Sequence, residues 1–343
     1  MSQSFLASNF YTAAAGDSLS PTAADWLAQQ GVAVARACPI PGDASGRRYW
    51  RLPQGLIFMD APHPEDILPF LRIQHRFARA ALPVPRVLAV QMDPGFVLLE
   101  DLGKTDLRAV LDAGADINLW MQRAMTLILN LQHAGQAQTA LPPLPFFSPA
   151  RLRDELALFT DWYLGRHLDL ILSSPQRKSL QALFAVLLDN AAAQPQVWVH
   201  RDFHARNLIV QRDTGMLAMI DFQDAVRGPW TYDLASLLWD RYWDWGRTQR
   251  DAWAQNFLTA AHQDGAALPS STGFLLSVGR MALQRNLKIL GIFCRLAYRD
   301  GKSSYLDFLP QFWAYVVDAL DADSQLQPYQ ELFAPWQPPL PVR

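Results

Sequence analysis

The sequence predicts an α+β chain of two lobes, a small antiparallel-sheet lobe followed by a larger helical one. Three observations lead there. The first hundred residues hold several short strand-like runs punctuated by turn residues. From Trp120 onward, Leu- and Ala-rich helical sequence dominates. The length of 343 residues also exceeds what one hydrophobic core usually spans. The boundary is expected near Gly103, giving a first lobe of residues 1–102 and a second of residues 103–343.

Residues 22–30 read as a helix capped by Ser20 or Thr22 and ended by Gly31. Residues 32–37 are a short strand candidate. Residues 48–52 and 56–59 form an expected hairpin around Pro53, Gln54 and Gly55. Ile67, Phe70, Leu71, Ile73 and Phe77 recur at helical spacing, which predicts a helix over 63–82 closed by Pro83 and Pro85. Two more strands, 87–90 and 96–99, flank a turn at 92–95. In the helical lobe, residues 141–145 are a stiff Pro-rich connector. A hairpin is expected over 197–220, and the Pro-containing tail 334–343 should be poorly anchored.

Composition excludes several roles. A net charge of −2, with 18% charged residues, argues against a polybasic surface for nucleic acid or membrane. Cys38 and Cys294 are the only cysteines and have no metal-like spacing, which suggests a reducing compartment without disulfides. The N-terminus has no basic-then-apolar leader pattern. The longest apolar runs, such as 180–188, fall short of the ~20 residues that span a bilayer. The expectation is a cytoplasmic monomer acting on a small molecule.

The chemistry concentrates in residues 198–224. Asp202, Asn207 and Asp221 have the order and spacing of a phosphoryl-transfer site, in which Asp202 takes up the acceptor hydroxyl and Asn207 and Asp221 hold Mg²⁺ on a nucleotide triphosphate. Hard oxygen ligands suit Mg²⁺, which keeps water and substrate phosphate for its remaining positions. His200 reads as a buried brace, and Asp233 as a helix cap or loop brace. Upstream, Gly42, Ser45 and Gly46 with Arg47 form a candidate phosphate-covering loop. Strand alternation puts Arg47, Tyr49 and Arg51 on one face. The strand running through Glu100 to Leu102 offers a backbone edge for adenine, although a plain interlobe linker reads equally well. Of the aromatic residues between Trp230 and Trp245, most should be core, with one or two free to stack on a sugar ring.

At these residues the chain resembles the aminoglycoside phosphotransferase and choline kinase superfamily, whose fold is that of protein kinases. The match rests on 200–207 (HRDFHARN), on 220–225 (IDFQDA) and on Asp233-Leu234-Ala235. Within that superfamily it is most similar to the bacterial kinases that phosphorylate the anomeric hydroxyl of N-acetylmuramic acid and N-acetylglucosamine in cell-wall recycling. Residues 43–52, 59–62, 98–103, 153–156, 162–164, 283–293 and 300–302 carry that closer likeness. The resemblance implies a protein-kinase-like two-lobe fold, ATP and Mg²⁺ as cofactors and an amino-sugar acceptor. Glu155, Trp162, Arg206, Asp224 and Arg285 are candidate acceptor contacts.

One departure stands out. Kinase folds pair a Lys on the third strand with a Glu on the next helix, but here Met59 and Phe70 occupy those positions, with Glu65 and Asp66 one to two turns early. An arginine among Arg47, Arg48 and Arg51 is expected to take over phosphate neutralisation. Two other readings stay open. One is an aminoglycoside or amino-alcohol phosphotransferase, disfavoured because the second lobe has no dense acidic run. The other is a nucleotide-binding pseudokinase, disfavoured because Asp202, Asn207 and Asp221 are all present.

Overall fold

The computed structural model describes residues 18–41, 46–137, 143–263 and 270–339. The chain divides into two compact units, one running up to Leu71 and resuming over Pro85–Leu102, the other comprising Arg72–Val84 and the chain from Gly103. Residues 72–84, expected in the first lobe, therefore belong with the second unit.

The first unit is built on five antiparallel strands, β1 (Cys38–Ile40), β2 (Arg48–Leu52), β3 (Leu56–Asp60), β4 (Val87–Gln91) and β5 (Phe96–Glu100), in the order β1-β2-β3-β5-β4. Trp50, Leu52, Phe58, Phe96 and Leu98 project from one face and bury Trp26 and Leu27 of helix α1 (Pro21–Gln29). Trp26 meets Phe58 and Phe96 at ring separations of 5.9 and 5.7 Å. Ser20 caps α1 by accepting the Ala23 N–H at 3.1 Å. The strand expected over 32–37 does not form. Val32, Val34 and Ala37 instead pack irregularly against the α1 cluster, and extended pairing begins at Cys38. Tyr49 is in register with Met59, and Met59 with Val97, so Met59 is buried on the other face of the sheet.

Helix α2 (Leu68–Arg79) starts later than predicted, because Asp66 turns its carboxylate onto the Leu68 N–H at 2.8 Å and so opens the helix. It ends at a left-handed residue, Ala81 (φ 55°), before Leu82.

In the second unit, α3 (Leu107–Asp112), α4 (Ile117–Ala137) and α5 (Pro149–Leu158) lead into a π-helical turn, Phe159–His167. Helix α6 (Ser174–Ala193) follows. Four short strands come next, β6 (Gln196–Val199), β7 (Leu208–Val210), β8 (Leu217–Met219) and β9 (Val226–Pro229). The expected 197–220 hairpin is in fact two ladders. β6 pairs with β9, and β7 with β8. Each ladder ends at the loop that follows β6, and this is what brings distant polar residues together.

The unit is completed by α7 (Tyr232–Leu238), α8 (Gly246–Gln263), α9 (Ser271–Asp300), α10 (Leu309–Ala322) and α11 (Gln330–Phe333). Helix α9 spans 30 residues from a Ser270 cap to Gly301, whose φ of 70° suits a glycine terminator. At Gly291 it passes so close to the Leu158 carbonyl that a side-chain carbon would collide with backbone. The expectation of a loose tail fails within the described residues. Trp336 is buried, packs beside Phe333 at 5.1 Å, and its carbonyl accepts the Tyr163 hydroxyl at 2.7 Å.

Among the described residues no helix is long and apolar enough to cross a membrane.

Candidate active site

The loop after β6 carries the candidate chemistry, and its backbone is held from three sides. Asp233, buried in the first turn of α7, accepts the N–H groups of His200 at 2.7 Å and Arg201 at 3.0 Å. Asp240, also buried, accepts the Ala205 N–H at 3.0 Å. The Arg285 guanidinium, on α9, donates to the Arg201 carbonyl at 3.2 Å and to Ser236 Oγ at 2.6 Å. Both Arg201 (φ 77°) and Asp221 (φ 62°) sit in the left-handed region. For non-glycine residues this costs on the order of 1 kcal/mol each, and it persists only where surroundings enforce it.

Two hydrogen bonds then tie this loop to the end of β8. His200 is fully buried, and its Nε2 donates to the Ile220 carbonyl at 2.9 Å. Ile220 N–H donates in turn to the Asn207 carbonyl at 3.0 Å. Asn207 and Asp221 are thereby drawn together, with Nδ2 3.4 Å from Oδ2. Asn207 Nδ2 also donates to the Asp202 main-chain carbonyl at 2.9 Å, so Asn207 links Asp202 to Asp221. Asp221 Oδ1 accepts from Gln223 Nε2 at 2.8 Å. The readings of His200 and Asp233 as braces agree with this geometry.

Beneath the loop lies a buried charged cluster. Glu155 Oε1 accepts from Arg201 at 2.7 Å and lies 3.6 Å from Lys288 Nζ. Its Oε2 accepts from Gln284 at 3.1 Å, while Lys288 donates to Tyr232 Oη at 3.0 Å. Burial alone would raise the carboxyls of Glu155 and Asp202. Lys288 leads the neighbouring cations that outweigh burial and hold both below the usual carboxylate range. Burial likewise opposes charge on Lys288, and Glu155 reverses that, so its ammonium stays protonated above the ordinary lysine value. Burial lowers His204 and favours the neutral imidazole.

The remaining candidates are placed unevenly. Gly42 and Ser45 lie outside the described residues. Gly46 donates its N–H to Glu65 Oε1 at 2.9 Å, and the same carboxylate lies 3.4 Å from the buried Arg47 guanidinium. Arg47 also donates to the Asp66 carbonyl at 3.1 Å. Arg48 pairs with Asp60, and Arg51 with Asp101 at 2.8 Å, so each of the three arginines has a carboxylate. Glu100 is held by Arg86 at 3.0 Å, and the N–H of Glu100 goes to the Arg86 carbonyl. Leu102 is half-buried. Glu155 and Arg285 belong to the buried support of the loop described above. Asp224, largely exposed, stands 3.8 Å from Arg201. Arg206 is partly exposed, 4.0 Å from Asp106, and Trp162 is half-buried in the π-helical turn.

Sequence reasoning missed Lys288 and Asp240. A lysine three residues after an arginine inside the apolar run of α9 was the available signal, since such charges are buried only with partners. Asp240 follows an aromatic stretch and carried no pattern.

A carboxylate beside an amide–carboxylate pair, on a braced loop between two ladders, defines a kinase-like phosphotransferase. The comparisons agree. The model of a family described as "Phosphotransferase enzyme family" matches residues 36–271, and the chain belongs to that family. A Pseudomonas aeruginosa protein named N-acetylmuramate/N-acetylglucosamine kinase is 37% identical over 308 residues, covering 88% of this chain and 89% of its own. One of the same name from Pseudomonas putida is 36% identical, covering 86% of each. The solved structure of a choline/ethanolamine kinase family protein from Mesorhizobium loti superposes with a TM-score of 0.60 at 15% identity, covering 87% of this chain and 92% of that one, and so shares the fold.

Proposed function

We propose that this chain is an ATP-dependent kinase that phosphorylates the anomeric hydroxyl of N-acetylmuramate and N-acetylglucosamine, in the cytoplasm and as part of cell-wall recycling. The observation that carries the chemistry is the approach of Asn207 to Asp221 beside Asp202. The choice of acceptor is supported by the names of relatives aligned over most of the chain.

Asp202 accepts the proton of the acceptor hydroxyl and orients it for attack in line with the γ-phosphorus. The cations beneath the loop keep its carboxylate charged, as that role requires. An anomeric hydroxyl is more acidic than other sugar alcohols, so a positioned carboxylate suffices. Asn207 and Asp221 form a hard-oxygen pair that fits Mg²⁺, with the amide nitrogen engaged by the Asp202 carbonyl and the amide oxygen left for the cation. When bound, that ion would neutralise charge on the nucleotide phosphates. The first hundred residues are assigned to the nucleotide, with Gly42, Ser45, Gly46 and Arg47 on phosphate and Glu100 and Leu102 on adenine. The Arg47–Glu65 ion pair is the proposed stand-in for the Lys–Glu pair that Met59 and Phe70 displace.

Turnover of ATP with N-acetylmuramate, N-acetylglucosamine, choline and an aminoglycoside tests the reading. Consumption stimulated by the acetylated sugars supports it. Stimulation by choline or the aminoglycoside alone overturns it.

A further inference from the structure

Both oxygens of Glu155 are engaged inside the fold. Oε1 accepts from Arg201 at 2.7 Å and lies 3.6 Å from Lys288 Nζ, while Oε2 accepts from Gln284 at 3.1 Å and from the Tyr232 hydroxyl at 3.4 Å. The residue is 9% exposed, so the carboxylate is satisfied where it stands. What it holds is the residue just before Asp202. Arg201 adopts φ 77°, a left-handed conformation that a non-glycine residue keeps only under restraint. That restraint comes from three helices. Asp233 on α7 accepts the Arg201 N–H at 3.0 Å, Arg285 on α9 donates to its carbonyl at 3.2 Å, and Glu155 on α5 takes its guanidinium. The guanidinium also lies 5.0 Å from the centroid of the Phe147 ring. Asp224, the other carboxylate beside it, is largely exposed and 3.8 Å away, so Glu155 carries the grip. Among the described residues no donor hydrogen-bonds the Asp202 carboxylate, so its aim is set by the backbone before it.

We propose that Glu155 is a positioning residue for the transfer step: through Arg201 it holds the left-handed turn that aims the Asp202 carboxylate at the acceptor hydroxyl. The proposal rests on the reading of Asp202 as the base. A charge-assisted hydrogen bond between a buried carboxylate and a guanidinium is short and directional, which suits it to fixing geometry. Without that bond Arg201 relaxes toward an ordinary right-handed or extended backbone, and the Asp202 side chain turns with it. A displacement of about 1 Å at a reacting group can cost about 10²-fold in rate. The acceptor touches neither Glu155 nor Arg201 in this arrangement, so the loss falls on kcat and spares KM for the sugar.

The test is steady-state kinetics with N-acetylglucosamine at saturating ATP and Mg²⁺ for the wild type, Glu155→Gln, Asp202→Asn and the variant carrying both changes. Glu155→Gln should lower kcat about 10- to 100-fold and leave KM for the sugar within about threefold of wild type. In the Asp202→Asn background the same change should cost less than about threefold, because no base is left to aim. A full loss in that background would show general support of the loop and would overturn the assignment. A raised KM with kcat retained would make Glu155 an acceptor contact and overturn it too, as would wild-type kinetics in Glu155→Gln. Glu155→Gln leaves Lys288 and Arg201 short of a counter-charge, so Glu155→Gln combined with Lys288→Met is the second variant. Its urea midpoint should exceed that of Glu155→Gln while kcat stays low. Recovery of kcat together with the midpoint would reduce Glu155 to a purely structural role. A wild type that does not phosphorylate the sugar, or Asp202→Asn turning over near the wild-type rate, overturns the reading on which the assignment rests.

Discussion

Asn207 Nδ2 lies 3.4 Å from Asp221 Oδ2, although 14 positions of chain separate the two residues. The contact exists because β7 and β8 run antiparallel, with Leu208 opposite Met219, so that Asn207 meets Ile220 just outside the ladder and Asp221 follows beside it. If this pair holds the metal ion, Asp221→Asn should lower kcat by at least about 100-fold and shift the Mg²⁺ concentration for half-maximal rate upward. Wild-type metal dependence in a titration of initial rate against Mg²⁺ would remove Asp221 from that role.

Asp202→Asn keeps the shape of the side chain and removes its basicity. Turnover should fall about 10²- to 10⁴-fold, the usual contribution of a positioned base. Nucleotide affinity, measured by calorimetry, should stay within a few-fold of wild type. Near-normal turnover would show that the acceptor hydroxyl needs no base here.

The Glu155–Lys288–Arg201 cluster predicts a pH profile of stability. The folded pKa of Glu155 is depressed, so its contribution is present above its unfolded value of about 4.3 and is lost as pH falls through the lower folded value. The folded pKa of Lys288 is raised, so its contribution is present below about 10.4 and is lost as pH rises through the higher folded value. Lys288→Met leaves a buried carboxylate short of one partner and should cost on the order of 3 kcal/mol at neutral pH. Urea unfolding of this variant at neutral pH checks that cost, and a series on the wild type and Glu155→Gln across pH 3–7 checks the acid limb. The Glu155→Gln curve should be flatter on the acid side than that of the wild type, and parallel curves would contradict the assignment.

Two glycines on α9 should respond oppositely to alanine. At Gly291 the new carbon meets the Leu158 backbone carbonyl, which cannot swing aside, and the cost should be about 1–3 kcal/mol. At Gly279 nothing lies within 4 Å, so alanine should stabilise by roughly 0.5–1 kcal/mol through helix propensity. Denaturant midpoints of the two variants decide it. A neutral Gly291→Ala would mean that α9 and the π-helical turn can separate freely.

Much of the fold could be read locally. The 48–60 hairpin and the 87–100 pair follow from alternation and from Gly55 and Gly95 at their turns. The partner of β6 could not be read, because β9 contains Arg227, Gly228 and Pro229 and shows no alternation. Val32 and Val34 looked like a strand, but they serve the α1 cluster without pairing. That Asp202, Asn207 and Asp221 would come together was legible, because their order and spacing match a phosphoryl-transfer pattern. Asp240 and Lys288 were not, since only the folded chain shows which loop they serve. The same holds for the Arg47–Glu65 pair, in which Glu65 lies before α2 rather than on it.

The central claim is transfer of phosphate to an anomeric hydroxyl. Its most direct test is ³¹P NMR of the product formed from ATP and N-acetylglucosamine, with proton coupling resolved. The account predicts a sugar phosphate whose phosphorus couples to the anomeric proton. A phosphate coupled to any other sugar position, or ATP turnover without a sugar phosphate, would contradict it.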